Sequence, residues 1–364
     1  MTIAEILEPF EQWAPPSLQE SYDNSGLILG DPKTNCTGVL LCLDVTEAII
    51  NEAISLGYNL IISHHPLIFN GLKKIRTDHW ADRTLVSAIR AGISIYACHT
   101  NADNIFLGVN NRIADQLNLQ NRRILSPKAG LLRKLVVFVP LEYEEKLRVA
   151  LFDAGAGNVG NYAACSFAAK GMGTFMPEIG AQPFSGEIGK RQSGEESRLE
   201  VLFPNWLENK VLKALRGAHP YEEIAYEIYP INNKHQEIGS GMIGTLPEPI
   251  DEIEWLNLVK SSFQAGVVRH TAFLGKKVST VAVCGGSGSF LLSHAIGQKA
   301  DVFLTADLKY HEFFEANQQI LLTDIGHFES EQYTIDLFVD VLHQNFPTFA
   351  HLKTSIITNP IHYH

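Results

Sequence analysis

The chain alternates short apolar runs with amphipathic stretches over its first and last thirds. Apolar runs predict buried strands at 38–43, 59–63, 93–98, 278–284, 301–305 and 319–323. Apolar residues at helical spacing predict helices at 2–13, 47–56, 82–91, 108–117, 290–297, 311–316 and 330–343. Strands that alternate with helices indicate βαβ units, so the outer thirds predict an α/β fold with a mostly parallel sheet.

The middle third breaks this rhythm. Its pattern predicts a strand, a helix, a strand, a Gly-rich loop, a strand, a helix and a strand at 133–139, 143–154, 162–169, 171–196, 198–203, 207–216 and 223–229. This βαββαβ order is that of the ferredoxin-like split unit. Turn residues at 126–127 and 232–234 suggest junctions. We therefore expect residues 1–127 and 233–364 to form one α/β domain, with a small α+β domain inserted at 128–232.

The composition bears on which binding partners and which cellular compartment we expect for the protein. Lys and Arg total 29 and Asp and Glu total 40, which gives a net charge of −11 and disfavours nucleic-acid binding. The five cysteines form no C-x-x-C pair, which fits a reducing compartment. The first ten residues carry two acids and no base, unlike a secretory signal peptide. No apolar run approaches the roughly 20 residues that span a bilayer, so we expect a cytoplasmic protein without membrane contact.

Imidazole and carboxylate side chains follow several of the predicted strands. His64 and His65 end the strand at 59–63, and Asp103 follows the strand at 93–98. His327 and Glu331 follow the strand at 319–323. In open α/β sheets ligands gather at the carboxyl ends of strands, so these side chains are expected at one rim.

Two details suggest how these groups act together. Ser330 is a suitable helix cap, which would place Glu331 in the first helical turn, where it could face the same point as His327. Adjacent side chains of an extended strand point to opposite sides, so His64 and His65 serve two ions better than one. A carboxylate such as Asp103 would suit a bridging position in a metal pair about 3.5–4 Å apart.

The metal is not selected by these residues. Imidazole and carboxylate ligands suit Zn, Fe, Mn, Ni or Co. The alternative interpretation is that the His-His-Pro sequence is a loop turn and that His327 caps a helix.

Six segments taken together resemble one protein family. They are Tyr22-Asp-Asn-Ser-Gly-Leu27, Asp44-Val-Thr46, Ser63-His-His-Pro-Leu-Ile-Phe69, His99-Thr-Asn-Ala-Asp103, Thr305-Ala-Asp-Leu-Lys-Tyr-His311 and Asp324-Ile-Gly-His-Phe-Glu-Ser-Glu331. The resemblance is to the Nif-three-like (NGG-interacting-factor-three-like) family of dinuclear metal centre, toroidal hexamer proteins. Ala306 stands where many members have Gly, a small departure.

The resemblance implies a structure, a site and an activity. Its metal ligands would be His64, His65, Asp103, His327 and Glu331, holding two divalent ions in each chain. The stretch 218–226 resembles the PII-like or CutA-like insert of longer members. The family further implies a homohexameric toroid and a GTP-cyclohydrolase-like hydrolytic activity on a small, nucleotide-like substrate.

Two glycine motifs are further candidates for ligand binding, and the second is better placed than the first. The motif Gly155-Ala-Gly-Asn-Val-Gly160 follows a predicted helix and precedes a strand, the reverse of a dinucleotide fingerprint, so a helix-ending turn is favoured. Gly286, Ser287 and Gly288 follow a strand and open a helix. Their N–H groups could hold a substrate phosphate or carboxylate, or they could simply form a tight turn.

Other titratable groups are candidates for proton transfer. His99, Asp307 and His311 follow strands that point to the same rim. His99 could also be a weak ligand or an ordinary turn residue, and Asp307 could start a helix.

Two function classes remain open on the sequence. The first is a metal-dependent hydrolase of nucleotide-like substrates. The second is a non-catalytic regulator or metallochaperone that responds to a metal or metabolite, with the insert as sensor or lid. The glycine loop and the acid–base candidates favour the hydrolase, because a metal carrier needs neither.

Overall fold

The computed structural model describes residues 1–364. Its strands are β1 (Gly26–Leu29), β2 (Val39–Cys42), β3 (Leu60–Ser63), β4 (Ser94–Ala97), β5 (Gln120–Pro127), β6 (Leu132–Pro140), β7 (Ser166–Phe175), β8 (Gln192–Pro204), β9 (Tyr226–Ile231), β10 (Gly239–Asp251), β11 (Arg269–His270), β12 (Lys277–Ser287), β13 (Val302–Ala306), β14 (Leu321–Asp324) and β15 (His351–Lys353). Its α-helices are α1 (Ile3–Trp13), α2 (Glu47–Leu56), α3 (Trp80–Ala91), α4 (Thr100–Asp103), α5 (Val109–Gln116), α6 (Glu144–Asp153), α7 (Glu208–Ala218), α8 (Glu252–Ser262), α9 (Leu292–Gly297), α10 (His327–Glu331) and α11 (Thr334–Asn345). Short 3₁₀ turns lie at Pro16–Leu18, Leu141–Tyr143, Asn205–Leu207, Ser289–Leu291 and Tyr310–Ala316.

The chain folds into two compact units. The first contains Met1–Pro127 together with Glu237–His364, and the second contains Lys128–Gln236. The second unit therefore ends four residues beyond the expected position of 232. The N–H of His235 donates to the carbonyl oxygen of Lys128 at 2.7 Å, which ties these last residues to the start of the second unit.

One sheet of the first unit contains five strands in the order β1-β4-β3-β2-β15. Strands β2, β3, β4 and β15 run parallel, and β1 is antiparallel to β4. Strands β2 and β3 are buried at every position, which explains their unbroken apolar sequences. Helix α2 begins at a Thr46 cap and ends at Gly57, whose φ of 72° suits the left-handed helix end.

The other sheet of the first unit contains six strands in the order β11-β14-β13-β12-β10-β5. Its centre is parallel, but β10 pairs antiparallel with both β12 and β5, and β11 pairs antiparallel with β14. The expected parallel sheet is thus two mixed sheets. The pattern missed β5 and β10, which lead into and out of the second unit and pair with each other, Pro127 opposite Gly239.

The helix expected at 330–343 is two helices. Helix α10 begins at His327, and α11 follows after a break at Gln332 and Tyr333. The early start depends on Gly326, whose φ of 92° is left-handed and whose added Cβ would lie 2.3 Å from the Glu329 carboxylate. Glu331 therefore lies in the last turn of α10, and the Ser330 cap expected from the sequence was wrong.

The second unit follows the order βαββαβ. Its sheet is antiparallel throughout, in the order β7-β8-β6-β9. Alternate residues of β6, Leu135, Val137 and Val139, are fully buried against α6 and α7. The third expected element differs, because β7 starts later than 162 and runs on to Phe175. Its glycines pair with β8, and Gly173 leaves room for the Glu196 carboxylate, which would lie 2.1 Å from an added Cβ.

None of the helices combines the length and apolar character that crossing a bilayer requires.

The core of the second unit makes a testable prediction. Leu147 of α6 is fully buried, whereas Val149 of the same helix is 47% exposed. We expect Leu147→Ala to lower the free energy of unfolding by about 2–5 kcal/mol, because the cavity is only partly refilled. Val149→Ala is the matched control and should change it by less than about 0.5 kcal/mol. Urea unfolding of the full chain, followed by circular dichroism, measures both, and equal effects would contradict the assigned core.

Candidate metal centre

The candidate site is formed where strands of both sheets in the first unit end. His64 and His65 follow β3, and Asp103 ends the short helix α4 after β4. His327 and Glu331 begin and end α10, which follows β14 through Gly326. The fold thus brings together side chains more than 200 residues apart in sequence. We call His64, His65, His99, Asp103, His327 and Glu331 the histidine–carboxylate cluster.

One group of ligand atoms in the cluster comes from His65, His327 and Glu331. The Oε2 atom of Glu331 lies 3.0 Å from Nε2 of His65 and 2.9 Å from Nε2 of His327. The two Nε2 atoms are 3.2 Å apart. Ligands that hold a zinc-sized ion tetrahedrally at about 2.1 Å lie about 3.4 Å from one another, so this group is close to the spacing of one metal site.

A second group consists of His64, Asp103 and Glu331. Nε2 of His64 lies 3.7 Å from both Oδ1 of Asp103 and Oε2 of Glu331. His64 is fully buried, and neither its Nε2 nor Oδ1 of Asp103 has a hydrogen-bond partner. Buried polar atoms without partners are costly, and a cation between them would satisfy both atoms.

Glu331 is the carboxylate that the two groups share. The sequence suggested Asp103 for the bridging position, but Asp103 belongs to only one group. The tandem histidines also differ from the expected opposite orientation, because both Nε2 atoms approach Glu331 and the ring centroids lie 4.9 Å apart. The cause is that both residues follow the end of β3, where the alternation of an extended strand no longer applies.

Every histidine of the cluster has its Nδ1 atom engaged. His64 donates from Nδ1 to the carbonyl oxygen of Cys98 at 2.9 Å. The other three donate to carboxylates at 2.7 Å, in the pairs His65 with Asp44, His99 with Asp23 and His327 with Asp307. These bonds fix the tautomer and direct Nε2 toward the cluster, which is the usual support for metal-binding histidines.

The supporting carboxylates are themselves held in place. Thr358 donates its hydroxyl to Oδ2 of Asp44 at 2.8 Å, and Ser287 donates to Oδ2 of Asp307 at 2.7 Å. The N–H of Thr100 donates to Oδ2 of Asp23 at 3.0 Å. The imidazoles of His65, His99 and His327 are therefore each oriented by a carboxylate whose own position is set by a further hydrogen bond.

The charges of the cluster are strongly coupled. Burial and the nearby Glu331 carboxylate raise the pKa of Asp103 to about 7. Burial opposes protonation of His65, yet its bonds to Asp44 and Glu331 raise the pKa of His65 to about 9. His327 is also desolvated, but the charge of Glu331 and the bond to Asp307 raise its pKa to about 11. Protons on these side chains thus balance negative charge that divalent cations could balance instead.

The cluster opens on a cavity of about 530 Å³. Five members of the cluster, all except the fully buried His64, line this cavity. Its volume lies within the range of small-molecule sites. The cluster is therefore accessible to a ligand and is not sealed in the core.

Of the three candidate acid–base residues, one lies in the cluster, one contacts it and one lies outside the cavity. His99 joins the cluster, with its ring centroid 5.2 Å from that of His64 and 5.3 Å from that of His65. Asp307 contacts the cluster only through His327, so its role is to orient that imidazole. His311 is exposed and packs against Tyr310 and Phe314, and it does not line the cavity.

The glycine loop also differs from expectation. Strand β12 extends through Ser287, so the loop begins later than its sequence suggested. The N–H of Gly286 donates to Ser330 Oγ at 3.0 Å, and that of Gly288 donates to Thr305 Oγ1 at 2.9 Å. These two donors are therefore not available to a bound anion.

The sequence pattern indicated no role for Asp44, Asp23 or Thr358. Asp44 lies two residues beyond the end of β2, so the signal that identified Asp103 could have found it. Asp23 follows no strand, and Thr358 is distant in sequence from the residues it supports. Only the folded arrangement reveals these two.

Comparison with known proteins places the chain among relatives of similar length. The family model described as Duf34/NIF3 (NGG1p interacting factor 3) matches residues 1–360. A Halalkalibacterium halodurans protein named GTP cyclohydrolase 1 type 2 homolog is 41% identical over 324 residues, 88% of this chain and 87% of that protein. A Bacillus subtilis protein of the same name is 40% identical over 326 residues, 89% of this chain and 87% of that protein.

Two solved structures share the whole fold. The Bacillus cereus protein related to NIF3 has a TM-score of 0.88 and 38% identity, with 100% of this chain and 99% of that chain covered. A Staphylococcus aureus protein has a TM-score of 0.78 and 27% identity, with the same coverage.

The shared position of Glu331 leads to a prediction about metal content. Glu331→Gln removes the carboxylate charge that both groups share, so we expect reconstituted protein to lose most of its bound divalent metal. Glu329→Gln is the matched control, because Glu329 is buried on the same helix but belongs to neither group. Elemental analysis after gel filtration measures the ions per chain. Equal metal content in the two variants would contradict the role of Glu331.

Proposed function

The chain belongs to the Duf34/NIF3 family, and from this membership and the histidine–carboxylate cluster we propose a dinuclear-metal-dependent hydrolase of the GTP-cyclohydrolase type. This membership confirms the family resemblance that the six sequence segments predicted. The observation that supports a metal centre best is the pair of buried atoms without partners, Nε2 of His64 and Oδ1 of Asp103. The names of the bacillar relatives suggest the type of activity.

The ligand atoms suit two divalent cations. His65 and His327 would hold one ion, His64 and Asp103 would hold the other, and Glu331 would contact both. Imidazole and carboxylate together fit Zn, Fe, Mn, Ni or Co and leave the choice among them open. When bound, such ions lower the pKa of coordinated water and stabilise negative charge that develops on a substrate.

The protein's own residues would orient the reaction. Asp44 and Asp307 keep the Nε2 atoms of His65 and His327 directed at the ligand positions. His99 lines the cavity with Nδ1 held by Asp23, so its Nε2 is the atom best placed to receive or return a proton. The cavity of about 530 Å³ would hold a small, nucleotide-like substrate against these groups.

A non-catalytic metal- or metabolite-responsive regulator or metallochaperone is the second candidate. It is favoured by two findings: His311 lies outside the cavity, and the glycine N–H groups are occupied. The size of the cavity beside the cluster argues against this second candidate, because a metal carrier needs no room for an organic molecule. We therefore place the hydrolase first.

Turnover by the metal-loaded protein tests the hydrolase directly. We expect metal-dependent hydrolysis of at least one compound in a panel of nucleotides and nucleosides that includes GTP. His65→Ala should lower the rate at least about 100-fold, because it removes a metal ligand. His343→Ala, an exposed histidine on α11, is the matched control and should keep the activity. Absence of metal-dependent turnover across the panel would refute the hydrolase and leave the regulator.

We further propose that the two compact units are domains and that the second is a PII-like insert. Its βαββαβ order and fully antiparallel sheet support this assignment. Within the insert, the buried His219 bonds the carbonyl oxygen of Phe138 through Nε2 and accepts from the N–H of Tyr221, which suits a structural role. We also propose a cytoplasmic location, which the lack of disulfide pairing among the five cysteines supports.

We propose that six copies of the chain form a toroid, which is the assembly that the family resemblance implies. Light scattering coupled to gel filtration of the full chain should give the mass of six chains. A stable monomer at micromolar concentration would contradict the proposal.

A further inference from the structure

The cavity beside the cluster has no lysine or arginine side chain, and its basic groups are the imidazoles of the cluster. Among all the residues that line it, none is Lys or Arg. Four of its lining residues are acids, Glu20, Asp44, Asp103 and Glu331. Sites that hold polyphosphates usually combine cationic side chains with backbone N–H groups, and here the candidate glycine donors are already occupied.

Bound metal ions would not outweigh the negative charge of the cavity. Two divalent cations bring four positive charges, whereas six carboxylates lie in or directly behind the cavity. Besides the four lining acids, these are Asp23 and Asp307, which hold His99 and His327. The carboxylates thus outnumber the positive charges of the two cations, which disfavours the entry of a triphosphate.

Aromatic rings supply the contact surface instead. Tyr22 and Phe69 stack with centroids 6.3 Å apart at an interplanar angle of 23°. Phe69 in turn contacts the His99 ring of the cluster at 6.0 Å. Phe69 is 42% exposed, and Tyr22 and Phe290 are each 61% exposed, although all three line the cavity. Exposed rings beside a cleft are typical of sites that bind flat ligands.

The amide side chains of the cavity are already committed within the protein. Asn104 donates to Leu18 and Glu20 and accepts from Ser240. Asn110 donates to the carbonyl oxygen of Asp103 and accepts from the N–H of Gly285. The rings and the metal ligands are therefore the main groups left to contact a substrate.

We propose that the substrate of this site is a planar nitrogen heterocycle without phosphate groups, a nucleoside or free base, stacked on Phe69 and Tyr22. This rests on the proposed function and narrows it. The aromatic wall runs from the exposed Tyr22 ring to His99, so a flat ring that stacks there lies beside the histidine–carboxylate cluster. Stacking tolerates different bases, because every base has a π face.

Binding to the metal-loaded full chain tests this inference without relying on turnover. Guanosine and GTP form one matched pair and adenosine and ATP another, since each pair differs only in phosphates. Calorimetric titration should show at least one nucleoside binding about ten-fold more tightly than its triphosphate. Metal content is measured before and after each titration, because triphosphates chelate divalent ions in solution.

Phe69→Ala should weaken nucleoside binding about ten-fold with unchanged metal content, and Phe69→Tyr should restore it. Phe314→Ala, an exposed ring outside the cavity, is the matched control. Tighter or equal binding of the triphosphates would overturn the inference, as would the absence of nucleoside binding or an effect of Phe314→Ala equal to that of Phe69→Ala. Nucleoside binding without any hydrolysis would instead refute the proposed hydrolase and leave this inference standing.

Discussion

The Glu331 side chain is 3% exposed, and its Oε2 atom lies within 3.7 Å of imidazole nitrogens from His64, His65 and His327. A carboxylate removed from water is costly unless charges and hydrogen bonds replace its hydration. Here the compensation comes from three histidines, each oriented through Nδ1 by a carbonyl or carboxylate oxygen. A second carboxylate, Asp103, has no such balance, and the repulsion from Glu331 contributes to its raised pKa. Divalent cations would supply the positive charge that this arrangement lacks.

The same constraint explains why the outer unit must fold as one body although its sequence is interrupted. The half before residue 128 contributes His64, His65 and Asp103, and the half after 236 contributes His327 and Glu331. Strands β5 and β10, at the two edges of the interruption, pair with each other and so keep the second sheet continuous. An insertion at this point leaves the strand ends that form the cluster undisturbed.

Much of this arrangement follows from local pattern. The apolar runs marked the central strands, and polar residues just after them marked the cluster, because parallel strands end at a common edge. Strands β5 and β10 carry weaker patterns and are set by pairing with each other. Other features depend on single backbone positions: Gly326 starts α10 early and so moves Glu331 to its last turn. Asp23 and Thr358 support the cluster across long sequence separations, and no local signal predicts such contacts.

Anomalous X-ray scattering from crystals reconstituted with Mn or Zn tests most directly whether two cations share Glu331. We expect two peaks in each chain about 3.5–4 Å apart, one beside His65 and His327 and the other beside His64 and Asp103, with Glu331 between them. A single peak, or peaks that do not contact Glu331, would contradict it.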